Sequence, residues 1–253
     1  MKLDKRTKFN RLGETSYNNY NNKITIIKYY NALNLIVKFE DGCETRTCYS
    51  NFKKGLIKSP YDKSVYNVGF LGEGFTPKEK TLHYKRWLQM LNRCYNEEVR
   101  YKHMSYINCT VCNEWHNFQN FVEWCDNNYY KIKDERMELD KDILFKGNKI
   151  YSPETCVFAP QVINGLFERC YIPTRELPNG VSWASDREKY QATCSDSKQK
   201  TVHLGFYDDI DDCFLAYKTF KEQLIKEVAN KYSDKIPSLL YEAMMNYQVD
   251  IDD

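Results

Sequence analysis

No stretch of this chain approaches the roughly 18 consecutive apolar residues of a membrane span. Its first residues, MKLDKRTKFNRLGE, lack the apolar middle of a signal peptide. The expectation is a soluble protein that stays in the cytoplasm where it is made and has no membrane partner. A strong net charge is also missing, since 37 Lys and Arg stand against 35 Asp and Glu, a formal +2. Taken whole, that balance gives no sign of a nucleic-acid partner. No internal repeat stands out.

Several features are present in quantity. Charged residues make up 28% of the 253, enough length for one large domain or two or three small ones. The ten cysteines are scattered through a Tyr- and Lys-rich chain, a pattern that favours reduced thiols over a disulfide framework. Charge becomes informative once divided along the chain. Residues 1–80 hold 15 Lys and Arg against 8 Asp and Glu, residues 81–170 hold 12 against 12, and residues 171–253 hold 10 against 15. An electrostatic footprint for a polyanion is therefore strongest in the first third.

In that third, NKITIIKYYNALNLIVKFEDG alternates apolar and polar residues in two runs, with EDG as a turn, and predicts a hairpin in a small β-rich module. Residues after it, through 76, read as loops with a short strand or two. Lys53, Lys54 and Lys58, near Tyr61 and Tyr66, are candidates for contact with a phosphate backbone, with a solvated loop as the alternative. From Pro77 the spacing of Tyr84, Trp87, Leu88, Leu91, Cys94 and Tyr95 predicts a helix with one apolar face, and Trp115, Phe118, Phe121 and Trp124 predict a second. Such an aromatic stripe reads as core.

Between these helices lies Cys109-x2-Cys112, flanked by His103 and His116. Two thiolates and two imidazoles could hold a structural Zn2+, with Cys94 or Cys156 as further ligands, although a second Cys-x2-Cys pair is absent. After the Pro- and Gly-marked linker YIPTRELPNG, the stretches GVSWASDREKYQATCSD and KQKTVHLGFYDD read as short strands. A long helix follows, acidic at its start and basic towards its end, which suits the helix dipole. The tail QVDIDD reads as frayed.

The stretch LDKDILFKGNKIYSPETCVFAPQVIN raises the question of chemistry. A strand through MELDKDIL, a turn at KGN, a strand through CVFAP and a helix from Gln161 would form a ββα unit. That unit can bring Asp140 near Asn164, and a carboxylate with an amide oxygen could hold one hard divalent ion such as Mg2+ or Mn2+. The bland alternative is a scaffold with Asp140 and Asp142 solvated and Asn164 bonding locally.

On Leu139-Asp140 and Val162-Ile163-Asn164 the chain resembles the HNH homing-type endonucleases of bacteriophages. The resemblance implies a ββα-metal fold, metal ligands at Asp140 and Asn164, and hydrolysis of a DNA phosphodiester. Two positions depart from that family. Lys141 stands where the general-base His belongs, and Glu154 stands near the Asn that orients it. A Lys ammonium is a poor base unless its pKa is depressed, and Asp140 and Asp142 push the other way. Lys141 could instead stabilise charge on the phosphate, while His83, His103 and His116 are the available substitutes as base.

GVSW, KYQA and HLGFYDDIDDCFLAYKTFKEQ resemble the Apetala-type DNA-binding domain of plant ethylene-response factors, also found appended to phage HNH enzymes. In that family three strands enter the major groove and a helix backs them. The resemblance implies DNA-facing positions at Trp183, Arg187, Lys189, Gln191, Lys198 and Lys200, with Leu204, Phe206, Ala216 and Tyr217 packing beneath.

The expected architecture is thus α+β. It comprises a basic β-rich module (1–76), an HNH-like ββα-metal domain with flanking helices (77–172), an Apetala-type sheet and helix (178–235) and a tail (236–253). The expected function is a phage-type, metal-dependent DNA endonuclease acting on double-stranded DNA in a bacterial host cell. The alternative is an inactive derivative that works by binding, either as a DNA-binding regulator or as an inhibitor of a host defence protein.

Overall fold

Ile24 and Ile26, then Leu35, Val37 and Phe39, alternate with polar neighbours, the period of strands with one buried face. The computed structural model describes residues 11–167, 177–197 and 200–251. It folds this region as an antiparallel sheet of β1 (Thr15–Tyr17), β2 (Lys23–Asn31), β3 (Asn34–Phe39) and β4 (Glu44–Thr47), in that order. The alternating residues are all 2% exposed or less and close a core with Phe52 and Ile57. The β2–β3 turn is tighter than YYNALN suggests, because Asn31 pairs with Asn34 and leaves only Ala32 and Leu33 outside the ladder. A short helix, α1 (Tyr49–Lys53), takes the place of the expected loop and delivers Phe52 to that core. Five residues are too few to reveal a helical period.

Helix α2 (Thr81–Tyr95) buries Trp87, Met90, Leu91 and Cys94, the i, i+3, i+4, i+7 stripe of an amphipathic helix. The chain then contributes α3 (Glu97–Lys102) and strand β5 (Thr110–Val111), turns through Asn113–His116, and enters α4 (Phe118–Asn128). Trp115, expected in the second helix, lies in the turn before it, where its carbonyl accepts a 2.7 Å bond from the Trp87 indole. Trp87 and Phe118 pack at 5.4 Å, and Trp115 and Phe121 meet edge-on at 5.1 Å, so these aromatics are core as read. Gly69 is required here, because a Cβ would lie 2.6 Å from Leu91 Cδ1 and 2.9 Å from the Trp87 ring.

The chain forms two compact units, divided differently from the expected boundary at 76/77. The first holds the described residues up to Asn96 together with Asn113–Glu123, and the second holds Glu97–Cys112 together with the described residues from Trp124 on. The helix expected from Pro77 therefore belongs with the N-terminal sheet.

In the second unit, β6 (Met137–Asp140) pairs antiparallel with β8 (Val157–Pro160), and β7 (Ile150–Tyr151) pairs parallel with β5. Helix α5 (Gln161–Phe167) follows β8 directly. Further on, β9 (Val181–Ala184), β10 (Lys189–Ser195) and β11 (Thr201–Tyr207) form an antiparallel sheet in the order β11-β10-β9. Then come α6 (Ile210–Lys231) and α7 (Ser238–Met245). Asp209 caps α6 by accepting from the backbone N–H of Asp211 at 2.7 Å and of Asp212 at 3.3 Å. Gly180 adopts φ +77°, and a Cβ there would sit 2.0 Å from the Tyr217 ring of α6, so only glycine lets the sheet approach this helix. The α+β class expected from the sequence is what the structure has.

The tail as far as Asp250 is docked, not frayed. Leu240 and Met244 of α7 are fully buried, and Val249 in the tail is 4% exposed. Val249 donates its N–H to Glu222 at 2.8 Å and accepts from Lys218, while Lys146 reaches the Gln248 carbonyl at 2.8 Å and the Asp250 carboxylate. The acidic composition of the tail hid this, because two lysines in distant parts of the sequence hold it. Leu240→Ala is expected to destabilise the protein by about 2–5 kcal/mol, seen as a lower urea midpoint. An unchanged midpoint would show that α7 is not part of the cooperative core.

Candidate functional site

The β6–β8 pair followed by α5 is a ββα unit, with a 16-residue excursion between the two strands in place of a tight hairpin. Alternation along β6 puts Glu138 and Asp140 on one face. Asn164, on the first turns of α5, donates Nδ2–H to Glu138 Oε2 at 3.0 Å, and Arg136 pairs with Glu138 Oε1 at 3.3 Å. This orientation turns Asn164 Oδ1 away from the carboxylate, and that oxygen is buried without a hydrogen-bond partner. Asp140 Oδ1 accepts the backbone N–H groups of Asp142 and Ile143, each at 2.8 Å. Burial, reinforced by the Asp142 charge, pushes the Asp140 carboxyl up to about 6 despite those bonds and Lys141.

The oxygens here, the half-buried Asp140 carboxylate and the orphaned Asn164 amide oxygen whose side chain bonds Glu138, are hard donors, which suit Mg2+ or Mn2+ better than a soft metal. Asp140 and Asn164 are the residues that would hold such an ion, and its contribution would be to polarise a phosphate oxygen. Glu138 is a neighbour that the sequence reading passed over. The two-residue period of MELD carries it.

Lys141 follows the last residue of β6. It is 6% exposed, its Nζ lies 3.1 Å from Asp142 Oδ2, and it faces the Tyr151 ring at 5.8 Å. Burial, the largest single influence, would lower its pKa, but Asp142, Cys109 and Asp140 together outweigh it and hold the ammonium above its usual value. It is therefore a charged, packed side chain and no proton acceptor. Glu154 is exposed in the turn before β8, and the Ser152 hydroxyl lowers its carboxyl.

The Cys and His residues considered for zinc divide between the units. Cys109, Cys112, His103 and Cys156 belong to the second, and His116 and Cys94 to the first, as does His83, considered as a base. Cys109 donates its thiol to the Ser105 carbonyl at 3.6 Å, with burial raising its pKa. His103 packs against Tyr106, and His116 exchanges a 3.2 Å bond with the Tyr95 hydroxyl. Among the described residues no group of three or more His, Cys, Asp or Glu side chains forms a metal cluster.

The three-stranded sheet has a covered face and an open one. Val181, Ala192, Cys213 and Phe214 pack beneath it with Leu204, Ala216 and Tyr217, as expected of the last three. Trp183 and Phe206 exchange the places assigned to them. Trp183 pairs with Tyr190, packs edge-on against it at 5.0 Å, and so lies at the rim of the helix-covered face. Phe206 pairs with Gln191 on the open face. The cause of the second change is a bulge in β11. Ala192 pairs with Gly205 but Thr193 pairs with His203, so Leu204 turns to the core and His203 outward.

On the open face Arg187 stacks over the Phe206 ring at 4.3 Å, His203 packs against Phe206 at 4.6 Å, and Gln191 Nε2 bonds His203 Nδ1 at 3.0 Å. Lys189 is engaged with Asp208 at 3.0 Å, and Lys200 is exposed in the β10–β11 turn. Lys198 lies outside the described residues. In the first unit, Lys53 pairs with Glu14 at 3.5 Å, Lys54 is exposed at the end of α1, and Lys58 lies 5.2 Å from the Tyr20 ring. Tyr61 leans on Phe70, and Tyr66 donates to Asn92 at 2.7 Å.

No protein-family model, curated protein or solved structure matches this chain. No helix among the described residues is long and apolar enough to cross a membrane.

Asp140 titrates with a defined sign. Its pKa in the folded state, about 6, exceeds the ordinary value of about 3.9, so the folded protein binds the proton more tightly. The resulting stability is full below about pH 4 and is lost as pH rises through about 6. Asp140→Asn keeps the Oδ1 acceptor and removes the partly desolvated charge. It is expected to raise stability at pH 7 without divalent metal by about 1–3 kcal/mol and to flatten the pH 4–7 profile. A destabilised Asp140→Asn at pH 7 would contradict this electrostatic picture.

Proposed function

We propose that this chain binds duplex DNA through the open face of its C-terminal sheet, and that the ββα unit is a scaffold. The observation that carries the reading is the array of Arg187, Phe206, His203 and Gln191. A planar cation braced on an aromatic ring, next to an amide and an imidazole bonded to each other, is an arrangement of fixed donors and acceptors suited to base edges. Carboxylates such as Asp209, Asp211 and Asp212 lie at the N-terminal end of α6 and not on the strands of the open face. This keeps the acidic third of the sequence compatible with a polyanion. Burial of Lys141 in its pair with Asp142 leaves the ββα unit without a base at the position where cleavage would need one. Anisotropy with a fluorescent duplex is expected to show binding that weakens steeply with salt, and Arg187→Ala is expected to weaken it by about tenfold. Salt-independent or absent binding would refute the reading.

A second reading, a metal-dependent endonuclease, is favoured by one observation, the buried and unpartnered Oδ1 of Asn164, whose amide bonds Glu138 on the strand that also carries Asp140. Plasmid nicking with Mg2+ or Mn2+ by the wild type, lost in Asp140→Ala, would establish it. Nicking seen only in Lys141→His would mark a metal site that has lost its base. An intact plasmid in every case leaves binding as the function.

A further inference from the structure

Resting on the DNA-binding reading, we infer that Gln191 and His203 act as one recognition unit for adenine, with Arg187 reading a neighbouring guanine. An amide can pair with adenine through its oxygen and the N–H on the same side as that oxygen, contacting N6–H and N7. A free glutamine on a sheet surface samples both flips of its amide and many side-chain rotamers, so its preference is weak. Here one Nε2–H is engaged by His203 Nδ1 at 3.0 Å. Because an amide nitrogen only donates, the bond requires His203 Nδ1 to accept and its hydrogen to sit on Nε2, and it selects one of the two amide flips. The oxygen and the other N–H are left as the pair that fits adenine.

The β11 bulge makes this possible. Without the extra residue at Leu204, alternation would place His203 on the side of Tyr207, which packs towards α6. With it, His203 stands on the same face as Gln191 and is packed against Phe206 at 4.6 Å. The opposite side of the array is Arg187, whose guanidinium carbon is 4.3 Å from the centre of the Phe206 ring. Its ion pair with Asp186 is 3.7 Å long between two exposed side chains and competes weakly with a base. A stacked guanidinium retains its in-plane N–H groups for the O6 and N7 of guanine. Phe206 thus supports both readers, and His203 acts through Gln191 as a positioning residue.

The test is selection from a library of randomised duplexes, followed by competition titrations for wild type, His203→Ala, His203→Gln and Arg187→Lys. Wild type is expected to enrich an adenine beside a guanine, each by about tenfold over the other bases. His203→Ala should reduce the adenine preference to under about threefold, a larger proportional loss than its effect on the guanine preference or on the affinity for random duplex. His203→Gln, which keeps an acceptor for Gln191, should restore part of the adenine preference. Arg187→Lys should lose the guanine preference while most of the adenine preference remains. Duplex binding without base preference in wild type, or an adenine preference untouched by His203→Ala, would overturn the inference and leave the DNA-binding reading standing. No binding to any duplex would overturn both.

Discussion

Leu224, Ile225, Val228 and Ala229 bury the C-terminal half of α6 against β8, α5 and α7, while Cys213, Phe214, Ala216 and Tyr217 bury its N-terminal half against the three-stranded sheet. A single helix of 22 residues, roughly 33 Å long at 1.5 Å per residue, therefore serves two cores. The ββα unit and the sheet belong to one compact unit through it, and the tail adds a strap that ties Lys146 of the excursion between β6 and β8 to Lys218 and Glu222 of the helix. Loss of either half of this apolar surface removes the support for one of the two candidate sites.

That arrangement also separates two kinds of polar residue. Asp140 and Lys141 are adjacent in sequence but are held by different partners. Asp140 is held by two backbone N–H groups, and Lys141 is buried with Asp142. A buried ammonium needs such a partner, since leaving it unpaired would cost several kcal/mol. Arg187, Gln191 and His203 instead lie on the solvent side of the sheet, where they have little work in holding the fold. Their mutual order comes from stacking on Phe206 and from one hydrogen bond. Surface side chains with this degree of order are well suited to recognition, because less rotamer freedom is lost when a partner arrives.

Much of this was legible in the sequence. The alternation of Ile24, Ile26, Leu35 and Val37 gave the first hairpin, and the helical spacing of Trp87, Leu91 and Cys94 gave α2. Asp140, Pro160 and Asn164 were placed correctly on a strand–strand–helix unit, and the acidic start and basic end of α6 marked its limits. What the sequence hid was long-range. The register change at Leu204 moves two side chains between faces and has no local signature apart from Gly205. The burial of Lys141 depends on Asp142 and Tyr151, and the docking of Val249 depends on residues about 30 positions away. The division into units was missed for a similar reason, since Phe70 bonds the backbone of both His116 and Phe118.

Lysine acetylation footprinting, with and without duplex DNA, addresses the central claim most directly. Lys189 and Lys200 flank the open face, whereas Lys231 and Lys235 lie at and beyond the far end of α6. The expected result is that DNA lowers the reactivity of Lys189 and Lys200 and leaves Lys231 and Lys235 unchanged. Protection of the α6 lysines alone, or of none of the four, would contradict it.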